Sequence, residues 1–424
     1  MTQNYDMPGY TLHVTPSDKF KDVTVSVRFK APLDQKTATA RTLLGFVLTT
    51  ATKTYPTVMD LSGYLDELYG ARLGASIAAK GAADIITLTS RCVNQAYLPV
   101  EDDLITKQVQ LLDDLIHNPL ADGDAFDDTI VRLKKKEIAD RIVAGMDDKM
   151  SYANDELLKY MGEFNTPLSV MSLGSLEDLD VITPQSLYKT YQAMLEEDDV
   201  HVYVIGDVPD NIAEVFEKNL NLGTTKPNIP ANYTFESTKN DVLEVFEDQD
   251  IVQTKLELGY TTGVDFTDPD CEAMSLTADI LGGYSQSRLF RHVREERSLC
   301  YYISAGYNPF GAVMAISSGI NQDNIDAVKD LVAEDLADMQ AGNVTEDELA
   351  LAKMMVVCSL ESAYDSPSYM ISLQYNRDIT GKKQTIAQYI DAINAVSVQD
   401  IVRCANKIRL DTVYVLRGKE DAHD

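Results

Sequence analysis

Few residues in this chain have the type and spacing for chemistry, and each set is incomplete. His292 and Glu295 stand three apart in RHVREERS, an H-x-x-E fragment of the kind that binds zinc when a second histidine follows one helical turn on. None follows, so a charged helix face accounts for it better. Gly282, Gly283, Tyr284 and Ser285 suggest a phosphate loop, but they lack G-x-x-x-x-G-K-[ST], G-x-G-x-x-G and a placed lysine. They read as a helix end and a turn. His13, His117, His201 and His423 are scattered and predict no cluster. Cys92, Cys271, Cys300, Cys358 and Cys404 are odd in number, far apart and without C-x-x-C spacing, so they read as reduced thiols rather than a zinc or redox centre. No Ser-His-Asp or Cys-His arrangement is signalled locally.

The elements that must position any site come in two sets. Period-2 alternation at Val23, Val25, Val27 and Phe29 marks a half-buried strand, and it recurs at Val252, Thr254, Leu256, Leu258 and Tyr260. Each strand precedes a helical stretch, ATARTLLGFVLTTATKTY in the first half and DPDCEAMSLTADILGG in the second, where glycines supply the stop. A helix and paired strands follow in both halves, and then two amphipathic helices. In the second half Thr345 and Glu348 form the capping box that starts one of these helices. At a constant offset Lys136, Asp148, Ser151 and Tyr152 face Lys353, Asp365, Ser368 and Tyr369. Both halves end alike, in ITPQSLYKTYQAMLEEDDVHVYVIGD and VSVQDIVRCANKIRLDTVYVLRG, each a helix feeding an apolar strand. The pattern predicts two copies of one α+β unit, each a mainly antiparallel sheet with helices on one face. The copies fall at residues 1–222 and 241–424, with 223–240 a linker rich in Pro, Asn, Thr and Gly. A groove between two such repeats is where a ligand is expected.

A chain of 424 residues with 45% apolar content is too large for one core. Its formal charge of -30 repels a phosphate backbone, so nucleic acid and anionic membrane are excluded as partners. An acidic surface favours basic peptides, although solubility alone explains it. MTQNYDMPGYTLHV lacks the charged start and apolar run of a signal, and no stretch has the apolar length of a membrane span. A cytoplasmic location is expected.

The segment SQSRLFRHVREERSLCYYISAGY resembles the S-R-L-F…R-x-x-x-x-L-x-Y signature of the insulinase and mitochondrial-processing-peptidase family, the M16 peptidases. TKTYPTVMDLSGYLDELYGARLGASIAAKG is similar to the segment after the zinc motif in that family, especially in a bacterial group whose motif is degenerate. With the duplication, the resemblance spans nearly the whole chain and implies the LuxS/MPP-like metallohydrolase fold. It places the family's H-x-x-E-H on T-L-L-G-F, so that Thr42 and Phe46 stand at the histidine positions and Gly45 at the general base. Between Val14 and Ile116 there is no histidine. No catalytic residue is therefore expected, and no zinc cofactor. Glu137, in KKKEIADRI, falls at the family's downstream glutamate ligand and reads as vestigial, since one oxygen donor binds zinc poorly.

The resemblance also implies that Arg294 and Tyr301, seven residues apart, hold the backbone of a substrate. A guanidinium fork and a phenol together can bind the carbonyl of an extended peptide. By composition the same residues belong to a surface charge run and a half-buried strand. The implied role is that of a non-catalytic, substrate-binding partner subunit of a zinc-bearing paralogue in peptide processing, or of a homodimer. Two other readings stay open. One is a stand-alone peptide-binding or scaffolding protein, which by resemblance could be accessory to elongation factor P modification. The other is a metallopeptidase with an atypical site at Glu137 and its acidic neighbours, where oxygen-only ligands suit magnesium or calcium better than zinc.

Overall fold

The structure, a computed structural model, describes residues 2–99, 102–224 and 226–418. The first half opens with β1 (Gln3–Met7), β2 (Tyr10–Pro16), β3 (Asp22–Pro32), α1 (Gln35–Leu48), α2 (Val58–Glu67), β4 (Arg72–Lys80), β5 (Ala83–Val93) and α3 (Leu104–His117). A short hairpin, β6 (Ala121–Asp122) with β7 (Ala125–Phe126), leads into α4 (Asp128–Asp147) and α5 (Lys149–Met161). The half closes with α6 (Leu176–Val181), α7 (Pro184–Glu197), β8 (Asp199–Gly206) and α8 (Ile212–Asn219). The second half begins with β9 (Leu243–Gln249), β10 (Thr254–Thr261), α9 (Cys271–Ala278), β11 (Cys300–Asn308) and β12 (Val313–Ile320). It continues through α10 (Ile325–Gln340), α11 (Glu346–Ala363), α12 (Pro367–Thr380), α13 (Ile386–Ala395), α14 (Val398–Ala405) and β13 (Arg409–Gly418).

The fold is α+β, with two mixed sheets bearing helices. One sheet has the order β1-β2-β8-β3-β5-β4 and the other β11-β12-β10-β13-β9. Each contains one parallel pair, β2 with β8 and β13 with β9, and the remaining pairs are antiparallel. The second sheet begins its alternating strand at Thr254, because Val252 is fully exposed ahead of it. β9 lies in a stretch for which no strand was expected. Its acidic residues Glu244, Glu247 and Asp248 and its partial burial suit an edge position.

The chain folds into two compact units that draw on both halves. The first unit takes residues up to Val143, Met171–Pro230 and Tyr364–Asn376. Its apolar core lies between α1, α3, α7 and the inner face of the sheet, with Val23, Val25, Val27 and Phe29 buried there. The other face of β3 is also buried at Thr24, Ser26, Arg28 and Lys30, because the segment containing the start of α12 lies on it. Tyr375 from that segment stacks 4.4 Å from the Arg28 guanidinium.

The second unit takes Ala144–Val170, Ala231–Ala363 and the residues from Arg377 onward. Here α5 packs on β10 and β13 through Ala153, Leu157 and Met161. Gly259 in β10 makes room for it, since a Cβ there would come within 3.1 Å of Leu157 Cδ1. The Tyr152 hydroxyl on α5 and the Tyr414 hydroxyl on β13 both donate to the Glu247 carboxylate, at 3.0 and 2.6 Å. The constant offset in the sequence falls on these two helices: α5 starts beside Asp148, Ser151 and Tyr152, and α12 beside Asp365, Ser368 and Tyr369.

Candidate functional site

Thr42, Gly45 and Phe46 lie on α1, which Asp34 caps by accepting from Lys36 N at 2.9 Å. The helix runs against the inner face of β4 and β5. Gly45 is the close point of that approach. A Cβ there would sit 3.2 Å from Ile86 Cγ2 and 3.3 Å from Ile77 Cδ1, closer than most side chains pack. Thr42 is fully buried, and its hydroxyl donates to Ser172 O at 2.7 Å. The Phe46 ring faces the Arg141 guanidinium on α4 at 4.6 Å. Glu137, one turn before Arg141, accepts from Lys134 Nζ and Arg141 Nη2, both at 2.7 Å. Lys134 is the main cause that holds its carboxyl below the usual range.

These residues do not fit zinc. Thr42 has committed its proton to a carbonyl, Gly45 and Phe46 offer no donor atoms, and Glu137 is held between two cations. Among the described residues no group of three His, Cys, Asp or Glu side chains gathers for any metal.

In the second unit the helix after α9 continues through two π-type turns, Asp279–Gly283 and Phe290–Glu296. Gly282 lets the first turn touch β11, for a Cβ would fall 2.6 Å from Ala305 N. Ser287 and Arg288 follow, and Arg288 is structural: Nε donates to Glu348 Oε1 at 2.8 Å and Nη1 to Asp338 Oδ2 at 2.9 Å. Glu348 also forms the expected box with Thr345, accepting from Thr345 N at 2.9 Å. His292 pairs with Asp335, Nδ1 to Oδ1 at 2.6 Å, which absorbs the H-x-x-E fragment into an internal contact.

Arg294 and Tyr301 remain exposed, with Tyr301 60% accessible. The helix carrying Arg294 ends where Ser298 takes a left-handed φ of 53° and donates its N–H to Arg294 O at 3.1 Å. That turn sends the chain directly into β11, whose second residue is Tyr301. The Arg294 guanidinium stacks on Phe290 at 4.7 Å and has no ion-pair partner among the described residues. Cys300, between the pair, has its thiol pushed up by burial, against the opposing charge of Arg294.

The histidines are less scattered than their spacing predicts. Parallel pairing of β2 with β8 brings His13 and His201 together, Nε2 to Nδ1 at 3.0 Å. Burial first, and His201 second, hold His13 down at about 3. No local pattern reveals this contact, because it depends on strands nearly two hundred residues apart. His117 bonds to Asn221 O, and His423 lies outside the described residues. A buried triad also went unseen: Arg41 bridges Asp84 Oδ2 at 3.0 Å and Asp198 Oδ2 at 2.8 Å. Burial raises Asp198 to about 6 in spite of that partner.

The sequence profile described as "Peptidase M16 inactive domain" matches residues 182–356. A crystal structure of a conserved protein from Enterococcus faecalis V583 superposes with a TM-score of 0.92 at 28% identity, covering 99% of each chain. A protease structure from Helicobacter pylori, at TM-score 0.80 and 17% identity over 98% of this chain and 99% of that one, shares the fold. The Bacillus subtilis (strain 168) protein named "Probable inactive metalloprotease YmfF" is 33% identical over 416 residues, 98% of this chain and 97% of that protein. With that identity running end to end, the chain belongs to the M16 peptidase family, as an inactive-domain homologue.

Proposed function

We propose that this chain is a non-catalytic subunit that holds an extended peptide for a zinc-bearing paralogue. One contrast carries the reading: the zinc positions are packed shut, while Arg294 and Tyr301 stay exposed and uncommitted to any carboxylate. A guanidinium left free in this way keeps its forked donors for a peptide carbonyl.

Co-expression with a zinc-bearing M16 paralogue from the same organism tests this. The reading requires a complex on size exclusion and a gain in peptide cleavage over the paralogue alone. Arg294→Ala and Tyr301→Phe are expected to lower that cleavage about tenfold or more while leaving the complex intact. Failure to form a complex, or cleavage indifferent to both substitutions, refutes it. Peptide binding by the isolated chain, sensitive to Arg294→Ala, would instead favour the stand-alone reading.

A further inference from the structure

The polar face of the first unit's sheet holds a basic pocket that neither the zinc positions nor the arginine–tyrosine pair uses. Three strands make its floor. Register sets Arg28 and Ser76 on either side of Thr87, Ser26 and Gly74 on either side of Thr89, and Arg72 beside Arg91. All of these project from one face. Ser368, Ile371 and Ser372 of α12 complete a cavity of about 410 Å³, and no acidic side chain lines it.

Arg28 is the unusual member. It is 7% exposed, with Nη2 donating to Ser372 Oγ at 3.3 Å and Nε to Ser26 Oγ at 3.4 Å. Its guanidinium lies 4.4 Å from the Tyr375 ring and 5.6 Å from the Tyr203 ring. No carboxylate pairs with it among the described residues. Arginine stays charged in proteins, and a buried charge is ordinarily paired because desolvation alone costs several kcal/mol. Two aromatic faces compensate only part of that.

The neighbourhood adds positive charge. Arg72 is exposed and also lacks an ion pair among the described residues, Arg91 pairs with Asp22, and the Lys80 ammonium is pushed down by burial first and by the charge of Arg28 second. Ser368 and Ser372, one turn apart on α12, add two hydroxyls to the wall. Gly74 leaves the floor open, since a Cβ there meets nothing within 4 Å. In a chain of net charge -30, the polar side chains that line this cavity are thus arginines and hydroxyls, with no carboxylate.

We propose that this pocket binds the carboxylates of an acidic peptide segment. β3 and β5 spend their N–H groups on the ladder, and those of the edge strand β4 lie in the plane of the sheet rather than facing the pocket, so side chains must do the recognising. A planar guanidinium fork matches a carboxylate in that setting, whereas phosphate sites generally recruit nests of main-chain N–H groups. This inference stands apart from the proposed partner role, because it concerns residues that role does not use.

The test is fluorescence anisotropy with the full chain and a labelled octaglutamate peptide, beside its octaglutamine counterpart, at about 50 mM salt to limit screening. Saturable binding of the acidic peptide, at least about tenfold tighter than the neutral one, is expected. Arg28→Gln and Arg72→Gln should each weaken it about tenfold. Gly74→Leu should weaken it without changing charge. Because Arg72 and Gly74 are on an exposed edge strand, those two variants keep the test valid if Arg28→Gln does not fold. Equal affinity for both peptides, or unchanged binding in folded Arg72→Gln and Gly74→Leu proteins, overturns the proposal. So does displacement of the peptide by inorganic phosphate at concentrations where acetate has no effect, which would assign the pocket to phosphate.

Discussion

Restoring the zinc motif by Thr42→His, Gly45→Glu and Phe46→His is expected to yield a destabilised protein, not a peptidase. The largest cost falls at Gly45. Its Cβ would stand 3.2 Å from Ile86 Cγ2 and 3.3 Å from Ile77 Cδ1, and overpacking of this kind costs about 1–3 kcal/mol. The rest of the glutamate then enters a buried site, where an unpaired carboxyl costs about 2 kcal/mol or more even when neutral. Thr42→His removes the bond to Ser172 O, about 1 kcal/mol, at a position with no exposed surface. Phe46→His weakens the contact with Arg141, about 0.5–1 kcal/mol. The sum, about 5–7 kcal/mol, rivals the stability of a typical domain at roughly 5–15 kcal/mol. Urea unfolding of the triple variant and of each single variant measures it, with metal analysis of protein purified without chelator. Equimolar zinc together with an unchanged urea midpoint would show that α1 can accommodate the motif, and the packing argument would be wrong.

Arg288→Met should cost about 1–3 kcal/mol, read as a lowered urea midpoint, because it removes the buried guanidinium that bridges Glu348 and Asp338 and leaves Glu348 with only the Arg291 cation, at 3.5 Å. Gly282→Ala should lower thermal stability by about 1–3 kcal/mol, since its Cβ would meet Ala305 N of β11 at 2.6 Å; an unchanged melting temperature would contradict that close approach. Glu257 is fully buried and bonded to Ser317, and burial pushes its pKa up to about 8. A raised folded-state pKa means the native protein holds the proton between about 4.5 and 8, so this group's contribution is complete below that window and is lost as pH rises through it. Glu257→Gln should therefore gain stability relative to the parent between pH 5 and 9, by an amount on the order of 4 kcal/mol. Urea midpoints of both proteins at the two pH values check the sign.

The α+β class, the alternating strands and the capping box at Thr345 and Glu348 were legible locally, because periodicity and motif spacing are short-range properties of a chain. What was not legible depends on long-range pairing. His13 and His201 meet only because β2 and β8 run parallel. Thr24, Ser26, Arg28 and Lys30 read as the wet side of a half-buried strand, yet they are buried because a segment more than three hundred residues later covers them. The Arg294 and Tyr301 pair is implied by the resemblance alone, and the structure adds how the two are joined: a left-handed Ser298 turns the helix into β11. Arg28 and Arg72 gave no signal at all, since no local pattern distinguishes an unpaired arginine from one that will find an aspartate.

The transfer of α5 and of the start of α12 between units bears on how the protein is made. While the ribosome is still delivering the second half, the first unit lacks Tyr364–Asn376, and the polar face of its sheet, Arg28 included, has no cover. The second unit must likewise wait for β13, the strand on which α5 rests. Both units therefore close late and nearly together in synthesis, and neither half of the gene encodes a piece that can mature alone. Nascent chains stalled before Tyr364 should remain protease-sensitive throughout.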